Sequence, residues 1–246
     1  MTMKVFLAGA TGVIGRSLVP LLRDAGHNIT GMTRTPEGKA ELEALGIAGI
    51  VVDVFDAEAL ENAVVTAAPD ILIHQLTDLS AGINPASPQD AMRRNARIRR
   101  EGTANLVRAA RSAGVKRVIV QSIGWAYAPK TLPFIETDPL DIEAMGPRAI
   151  TVFEGVAPLE SAVLDQGDFE GIVLRYGQLY GPGTWSAEPD GTAPVHVEAA
   201  AYAAFLAIDN GRSGAYNIAD PGGALAIDKA LGELGWRPDF RLEKRA

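Results

Sequence analysis

Gly9-Ala10-Thr11-Gly12-Val13-Ile14-Gly15 directly follows the apolar run Lys4-Val5-Phe6-Leu7-Ala8 and opens a helical pattern, Val13 to Ala25, which Gly26 stops. Strand, glycine loop, helix: that order decides the fold. A helix N-terminus carries unpaired N–H groups and partial positive charge, so it holds phosphate. Glycines let the chain turn tightly and let a pyrophosphate approach the backbone. The bare pattern is weak, because 26 glycines in 246 residues produce a GxxGxxG about 0.3 times by chance. Its place between a first strand and a first helix gives it force. Gly9, Thr11, Gly12, Val13, Ile14 and Gly15 are therefore expected to bind a dinucleotide. Pro20 should remove one hydrogen bond from the helix.

Outward from this unit, apolar β-runs alternate with helical patterns along the whole chain. Strands are expected at Asn28 to Thr33, Ile50 to Val52, Ile71 to His74, Val118 to Val120, Gly171 to Leu174 and Ala215 to Ile218. Helices are expected at Lys39 to Leu45, Ala57 to Ala67, Gln89 to Ala113, Ile150 to Asp165 and Ala199 to Ile208. Gly181 to Pro194 and Asp220 to Gly223 read as surface loops. Alternating β and α with apolar strands means an α/β fold, a doubly wound parallel Rossmann sheet. The expected organisation is one domain over 1–246, with small substrate-side pieces at 177–212 and 220–246.

Composition narrows the function. A chain of 246 residues with 47% apolar and 22% charged residues is ordinary for a globular protein. The net charge of −7 argues against a nucleic-acid partner. No run of about 18 apolar residues is present, so no membrane span is expected. Absence of cysteine removes thiolate chemistry and fits the cytoplasm. His27, His74 and His196 show no metal-ligand spacing, so no metal site is expected.

The end of the second strand selects the cofactor. An NAD site places an acid there for the ribose hydroxyls, whereas an arginine suits a 2′-phosphate. Thr33-Arg34 stands at that point with no acid before Glu37, so NADP is preferred, with NAD possible. Asp53, directly after the third strand, is placed either to reach the adenine amine or to serve the start of the next helix.

With these pieces in place the chain resembles the extended short-chain dehydrogenase/reductase family, the NAD-dependent epimerase/dehydratases. Matching segments are Gly9 to Gly15, Val52-Asp53-Val54, Ile73-His74, Gly102-Thr103-Ala104-Asn105-Leu106, Leu174-Arg175-Tyr176-Gly177, Tyr180-Gly181-Pro182-Gly183, Val195-His196-Val197, Tyr216-Asn217-Ile218 and Leu234-Gly235-Trp236-Arg237-Pro238. The resemblance implies cofactor contacts from the glycine loop, Arg34, Asp53, Val54, Gln75, Leu76, Thr77, Tyr176, Gly177 and Gln178. It also implies a substrate pocket, often for a nucleotide-activated sugar, against the C-terminal pieces.

The family's acid/base set is a Ser or Thr after the fifth strand and a Tyr-x-x-x-Lys on the next helix. Taking Leu159-Glu160 as the family's acidic landmark puts Val152 and Val156 at the Tyr and Lys positions, and taking Tyr127 as a landmark puts Ile123 at the hydroxyl position. None of the three can move a proton. Only Ala219 to Glu233 separates Tyr216-Asn217-Ile218 from Leu234-Gly235-Trp236, which suggests a small or open substrate site.

Substitute groups lie nearby. Tyr127, with Ser122 and Lys130 close in sequence, is the best replacement proton donor. Trp125, Arg175, Tyr180, Trp185 and His196 are candidate substrate-binding residues, each also readable as a packed or scaffold side chain. Arg93, Arg94, Arg97, Arg99, Arg100, Arg108 and Arg111 form one basic stretch, read as a solvated helix face. By analogy with the family that helix and Ile150 to Asp165 suggest a homodimer. The expected function is an NAD(P)-binding epimerase/dehydratase-like oxidoreductase. Its substrate would be a small carbonyl or hydroxyl compound or a nucleotide sugar, protonated by a non-standard donor. The alternative is a catalytically inactive NADP-binding sensor.

Overall fold

The computed structural model describes residues 1–78 and 88–243. In chain order it forms β1 (Lys4–Ala8), α1 (Val13–Asp24), β2 (Asn28–Thr33), α2 (Pro36–Ala44), β3 (Ala48–Val51), α3 (Ala57–Ala67), β4 (Ile71–His74), α4 (Pro88–Arg97), α5 (Thr103–Ser112), β5 (Arg117–Ile123), α6 (Pro147–Thr151), α7 (Ala157–Leu164), β6 (Glu170–Tyr176), β7 (Gln178–Tyr180), β8 (Pro194–His196), α8 (Val197–Leu206) and β9 (Gly214–Ile218).

Seven strands make one parallel sheet in the order β3-β2-β1-β4-β5-β6-β9. β1 runs between β2 and β4, so the chain leaves it to one side and returns on the other. That reversal opens a crevice at the C-terminal ends of β1 and β4, where ligands bind in doubly wound sheets. The inner strands are buried on both faces, whereas the edge strand β3 is not. On one face Val5, Leu7, Ile73, Ile119, Ile172 and Leu174 meet α1, α2 and α8. On the other, Phe6, Ala8, Leu72, Val118, Val120 and Val173 meet α3, α5 and α7.

The helices follow their apolar spacing. Ile14, Leu18 and Leu22 lie one turn apart on the buried side of α1, and the helix continues through Pro20. Alanines 199, 200, 201, 203 and 204 are buried on α8, which packs directly on α1. Arg117 at the start of β5 secures the far end of α8. Its Nη1 donates to the carbonyls of Ala207 (2.8 Å), Ile208 (3.2 Å) and Asn210 (2.9 Å), and its Nε to Glu170 (2.8 Å). A cation there complements the negative end of the helix dipole.

Two long helices expected from the sequence are each interrupted. A π-helical turn, Ile98–Gly102, joins α4 to α5, and another, Val152–Val156, joins α6 to α7. A π turn inserts one residue without breaking the helix, so apolar periodicity does not reveal it. The two turns touch each other. A third π turn covers Ala230–Leu234. The short pair β7·β8 was not expected, and Pro194 belongs to β8 instead of a loop. Three-residue strands carry too little alternation to be seen in sequence.

Close packing of α1 on β1 depends on Gly15. A Cβ there would run into the carbonyl oxygens of Gly9 and Ala10. Gly15→Ala should therefore lower stability by about 1–3 kcal/mol, the usual cost of overpacking. Urea unfolding of the two proteins checks this, and an unchanged midpoint would contradict it.

Candidate dinucleotide and substrate site

The glycine loop is built to receive an anion. Gly9 turns with φ of 95°, and Gly12 caps α1 in an extended conformation without any side-chain bond. The first turn of α1 contains no acid. The opening amides at Val13 and Ile14 therefore have neither a side-chain cap nor a repelling charge, as a pyrophosphate requires. Gly9 lies against the backbone of Gln75, so the loop rests on the segment that leaves β4. Thr11 is pinned by Arg16 Nε, which donates to its carbonyl at 3.0 Å.

Around the loop stand the other expected cofactor residues. Arg34 is exposed between buried Thr33 and the α2 cap Thr35, which accepts from the Gly38 amide at 3.1 Å. Exposed Asp53 accepts from the Phe55 amide at 2.9 Å, whereas the cap of α3 is Asp56. The Val54 carbonyl is held by Asn105 Nδ2 at 2.9 Å. Leu76 is held at both ends: its amide donates to His74 Nδ1 (3.1 Å) and its carbonyl accepts from Gln121 Nε2 (2.9 Å). Thr77 follows in the same partly buried segment. His74 Nε2 lies 3.1 Å from Thr103 Oγ1. Burial, with the Arg99 charge adding to it, pushes the pKa of His74 down to about 3, so its ring is neutral.

At the end of β6, Tyr176 is buried and its hydroxyl makes no hydrogen bond of ordinary geometry; the buried Gln75 carboxamide likewise has no such bond. Gln75 nonetheless lies close enough to favour the phenolate, although burial dominates and raises the Tyr176 pKa. Gly177 and Gln178 continue into β7, their amides donating to Ile218 (3.0 Å) and Ala193 (2.9 Å). The expected cofactor residues thus converge on the C-terminal edge of β1, β2, β3, β4 and β6. This cradle fits a dinucleotide.

The expected proton donors are engaged elsewhere. Arg175 forms a two-pronged pair with Glu160, Nε to Oε1 at 3.0 Å and Nη2 to Oε2 at 2.6 Å, with both side chains nearly inaccessible. Ser122 Oγ donates to the same Glu160 at 2.7 Å. Tyr127 donates its hydroxyl proton to Asn217 Oδ1 at 2.6 Å and accepts from Arg175 Nη1 at 2.8 Å. Asn217 Nδ2 donates in turn to the carbonyls of Phe134 (3.2 Å) and Ala226 (3.0 Å). Burial raises the Tyr127 pKa to about 12 against the opposing pull of Arg175. Burial also works against the charge of Arg175, yet Glu160 holds its pKa above the ordinary value. Ser122, Tyr127 and Arg175 therefore form an internal brace. The expectation that Tyr127 or Ser122 protonates a substrate, and that Arg175 binds one, is corrected accordingly.

Where the family's acid/base set would stand, the chain is apolar. Val152, Val156 and Ala126 are fully buried in one small cluster, with Ile123 and Leu140 packed on it. Residues far apart in sequence, assigned to catalytic positions one at a time, come together as a dry patch.

Beside it lies a cleft of about 360 Å³, lined among others by Trp125, Tyr127, Phe134, Arg148, Gly177 and Gln178. The rings of Tyr127 and Phe134 stack on each other at 4.9 Å, with Tyr127 itself buried, and Trp125 is 42% exposed. Arg148 is tied to the Trp125 and Tyr127 carbonyls (3.1 and 2.8 Å) and to Asp141 (2.5 Å). Lys130 is tied to Asp138 at 2.8 Å. Tyr180, Trp185 and His196 do not line this cleft. Tyr180 donates to Asp220 at 2.9 Å and meets the His196 ring edge-on, while His196 caps α8 by accepting from Glu198 at 3.3 Å. Trp185 is 63% exposed.

Residues 5–213 match the NAD dependent epimerase/dehydratase family. The chain belongs to that family. A 3-diazoavenalumate denitrifying reductase from a Streptomyces species is 39% identical over 258 aligned residues, taking in 97% of this chain and 80% of that protein. The fold matches UDP-glucose 4-epimerase from Thermotoga maritima, solved with UDP-glucose, at a TM-score of 0.77 and 21% identity, covering 96% of this chain and 94% of that one. It also matches the Thermus thermophilus UDP-glucose 4-epimerase complex with NAD, at 0.74 and 21%, over 97% and 94%. These relatives are reductases and epimerases, and the alternative of an inactive sensor finds no support among them. No helix among the described residues is long and apolar enough to cross a membrane.

Sequence reasoning did not identify Glu160 and Asn217 as the partners of Arg175 and Tyr127. Glu160 served only as a landmark, and nothing local in a sequence shows which arginine a buried acid will meet. Tyr127→Phe leaves the Asn217 acceptor and an Arg175 donor each short of a partner. Stability should fall by about 1–3 kcal/mol, the usual cost of stranding buried polar groups. Dinucleotide affinity should stay within about twofold, since no hydrogen bond to the cradle is lost. Thermal melts and calorimetric titration of the same variant test both halves.

Proposed function

We propose that this chain is an NADPH-dependent reductase acting on an electrophile that needs no proton from the protein. The observation that carries the proposal is the apolar cluster that holds Ile123, Val152 and Val156, the residues at the acid/base positions. When bound, the reduced nicotinamide supplies a hydride, and that chemistry is the cofactor's own. The protein's residues hold, orient and exclude water. Reducing an isolated ketone develops an alkoxide that a general acid must protonate. Valine and isoleucine offer no proton, and the Tyr127 and Ser122 protons point into the brace.

An arenediazonium escapes this requirement. Hydride gain replaces its C–N bond with C–H, dinitrogen leaves with the bonding pair, and the single positive charge is neutralised by the hydride. The reductase from Streptomyces is named for a diazo substrate, which favours this class. Trp125, 42% exposed at the cleft, supports an aromatic substrate by area burial and stacking. A cleft of this size suits a small aromatic compound better than a nucleotide sugar.

The glycine-loop amides at Val13 and Ile14 would hold the pyrophosphate, with Asp53 and Val54 beside the adenine and Gln75 to Thr77 beside the inner ribose. Arg34 favours NADP over NAD, because it is exposed and no acid stands between Asn28 and Pro36. A homodimer is part of the proposal, supported by Phe153, 59% exposed on the π turn before α7. A cytoplasmic location is supported by the absence of cysteine.

Calorimetric titration should give NADPH at least about tenfold tighter binding than NADH, the worth of a charge-assisted phosphate contact. Arg34→Ala should erase that preference, and equal affinities in the native protein would remove the phosphate assignment. Incubation with deuteride-labelled NADPH and an arenediazonium should release dinitrogen and leave deuterium on the ring. Turnover should be flat between about pH 6 and 9, because no protein acid takes part. A rate that follows one titrating group would overturn the proton-free reading.

A further inference from the structure

The basic stretch of α4 and α5 is not uniform. Arg94 pairs with Asp78, Arg97 with Glu101, Arg108 with Glu61 and Arg111 with Asp168, all at the surface. Arg93 and Arg100 are exposed. Arg99 is different: it is partly buried, and among the described residues it makes no hydrogen bond or ion pair. Residues 79–87 contain no acid that could serve it. An arginine withdrawn from water without a carboxylate is costly to keep, and the cost is recovered when an anion arrives.

Its place in the fold says where that anion would sit. Arg99 lies in the π turn between α4 and α5, facing the π turn that carries Val152 and Val156. Its stem crosses Gly155, where a Cβ would stand 3.4 Å from Arg99 Cδ and 3.1 Å from Ala96 Cα. Its charge is felt by His74, the residue before the Gln75 to Thr77 segment. Arg99 therefore lies near the end of β4 and the apolar cluster, beside the site and not among the residues that line the cleft of Trp125 and Phe134. π turns are enriched at functional positions because they re-aim side chains. Burial lowers the Arg99 pKa to about 10, which leaves it charged at neutral pH.

We infer that Arg99 holds an anionic oxygen of the substrate, a phenolate conjugated with the group that is reduced. The inference rests on the reductase reading and names its substrate class: an arenediazonium with an oxygen ortho or para to the nitrogen. Such a compound is shared between a neutral quinone-diazide form and a phenolate–diazonium form. A guanidinium at the oxygen draws negative charge onto it and positive character onto the nitrogen-bearing end. That makes the compound a better hydride acceptor without moving any proton. Arginine suits this role because it offers charge and a planar fork of donors and stays protonated.

The test uses the protein saturated with NADP+ and 4-nitrophenol, whose colour reports its ionisation. The native protein should bind the phenolate and lower the apparent pKa of the phenol. Arg99→Met should weaken binding at least about tenfold, as loss of a charge-assisted contact does, and abolish the shift. Arg99→Lys should restore part of both, which separates charge from a packing defect. Absence of phenolate binding by the native protein overturns the inference, as does an Arg99→Met variant that binds phenolate as the native protein does. Loss of NADPH affinity in Arg99→Met with phenolate binding intact also overturns it, since the cation would then serve the dinucleotide. The reductase reading fails by a different signal, the absence of label transfer to an arenediazonium in the native protein.

Discussion

The Arg175–Glu160 pair is the interaction on which this end of the molecule depends. It joins β6 to α7, and through Ser122, Tyr127 and Asn217 it adds β5, the chain after β5, and β9. Both charges are almost wholly removed from water, which is tolerable because each has several hydrogen-bonding partners. Removing one partner from such a pair costs about 3–5 kcal/mol, since the other is left buried and uncompensated. The brace backs the cleft: Tyr127 is fixed at its hydroxyl, stacked on Phe134 and almost wholly buried. Groups that resemble catalytic equipment in sequence are engaged in this brace.

Two π turns placed face to face do the complementary work. One carries Val152 and Val156 into the dry cluster, and the other carries Arg99 against Gly155. Under the proposed reading, this arrangement suits hydride acceptors whose charge is already in place.

Much of the fold was legible before any coordinates. β1 and β4 are apolar runs with clean boundaries, and the glycine loop between β1 and α1 places the crevice. The expected cofactor residues are short-range features attached to strand ends, which is why a sequence can nominate them. The brace was not. Arg175 and Glu160 are 15 positions apart, Tyr127 and Asn217 are 90 apart, and their side-chain partners exist only once β5, β6 and β9 lie side by side. The π turns were hidden because one inserted residue leaves an apolar stripe almost intact.

The sequence by itself determined the parallel sheet, the glycine loop after its first strand and the absence of the family's Tyr and Lys, because each is written in local order and residue type. Only the tertiary structure decided what took their place. Whether an arginine is a surface charge, half of a buried pair or an unpaired cation depends on which groups fold against it. Seven arginines of one stretch read alike as sequence. Packing separated Arg99 from the rest, because burial and the lack of a carboxylate are properties of neighbours brought together by the fold.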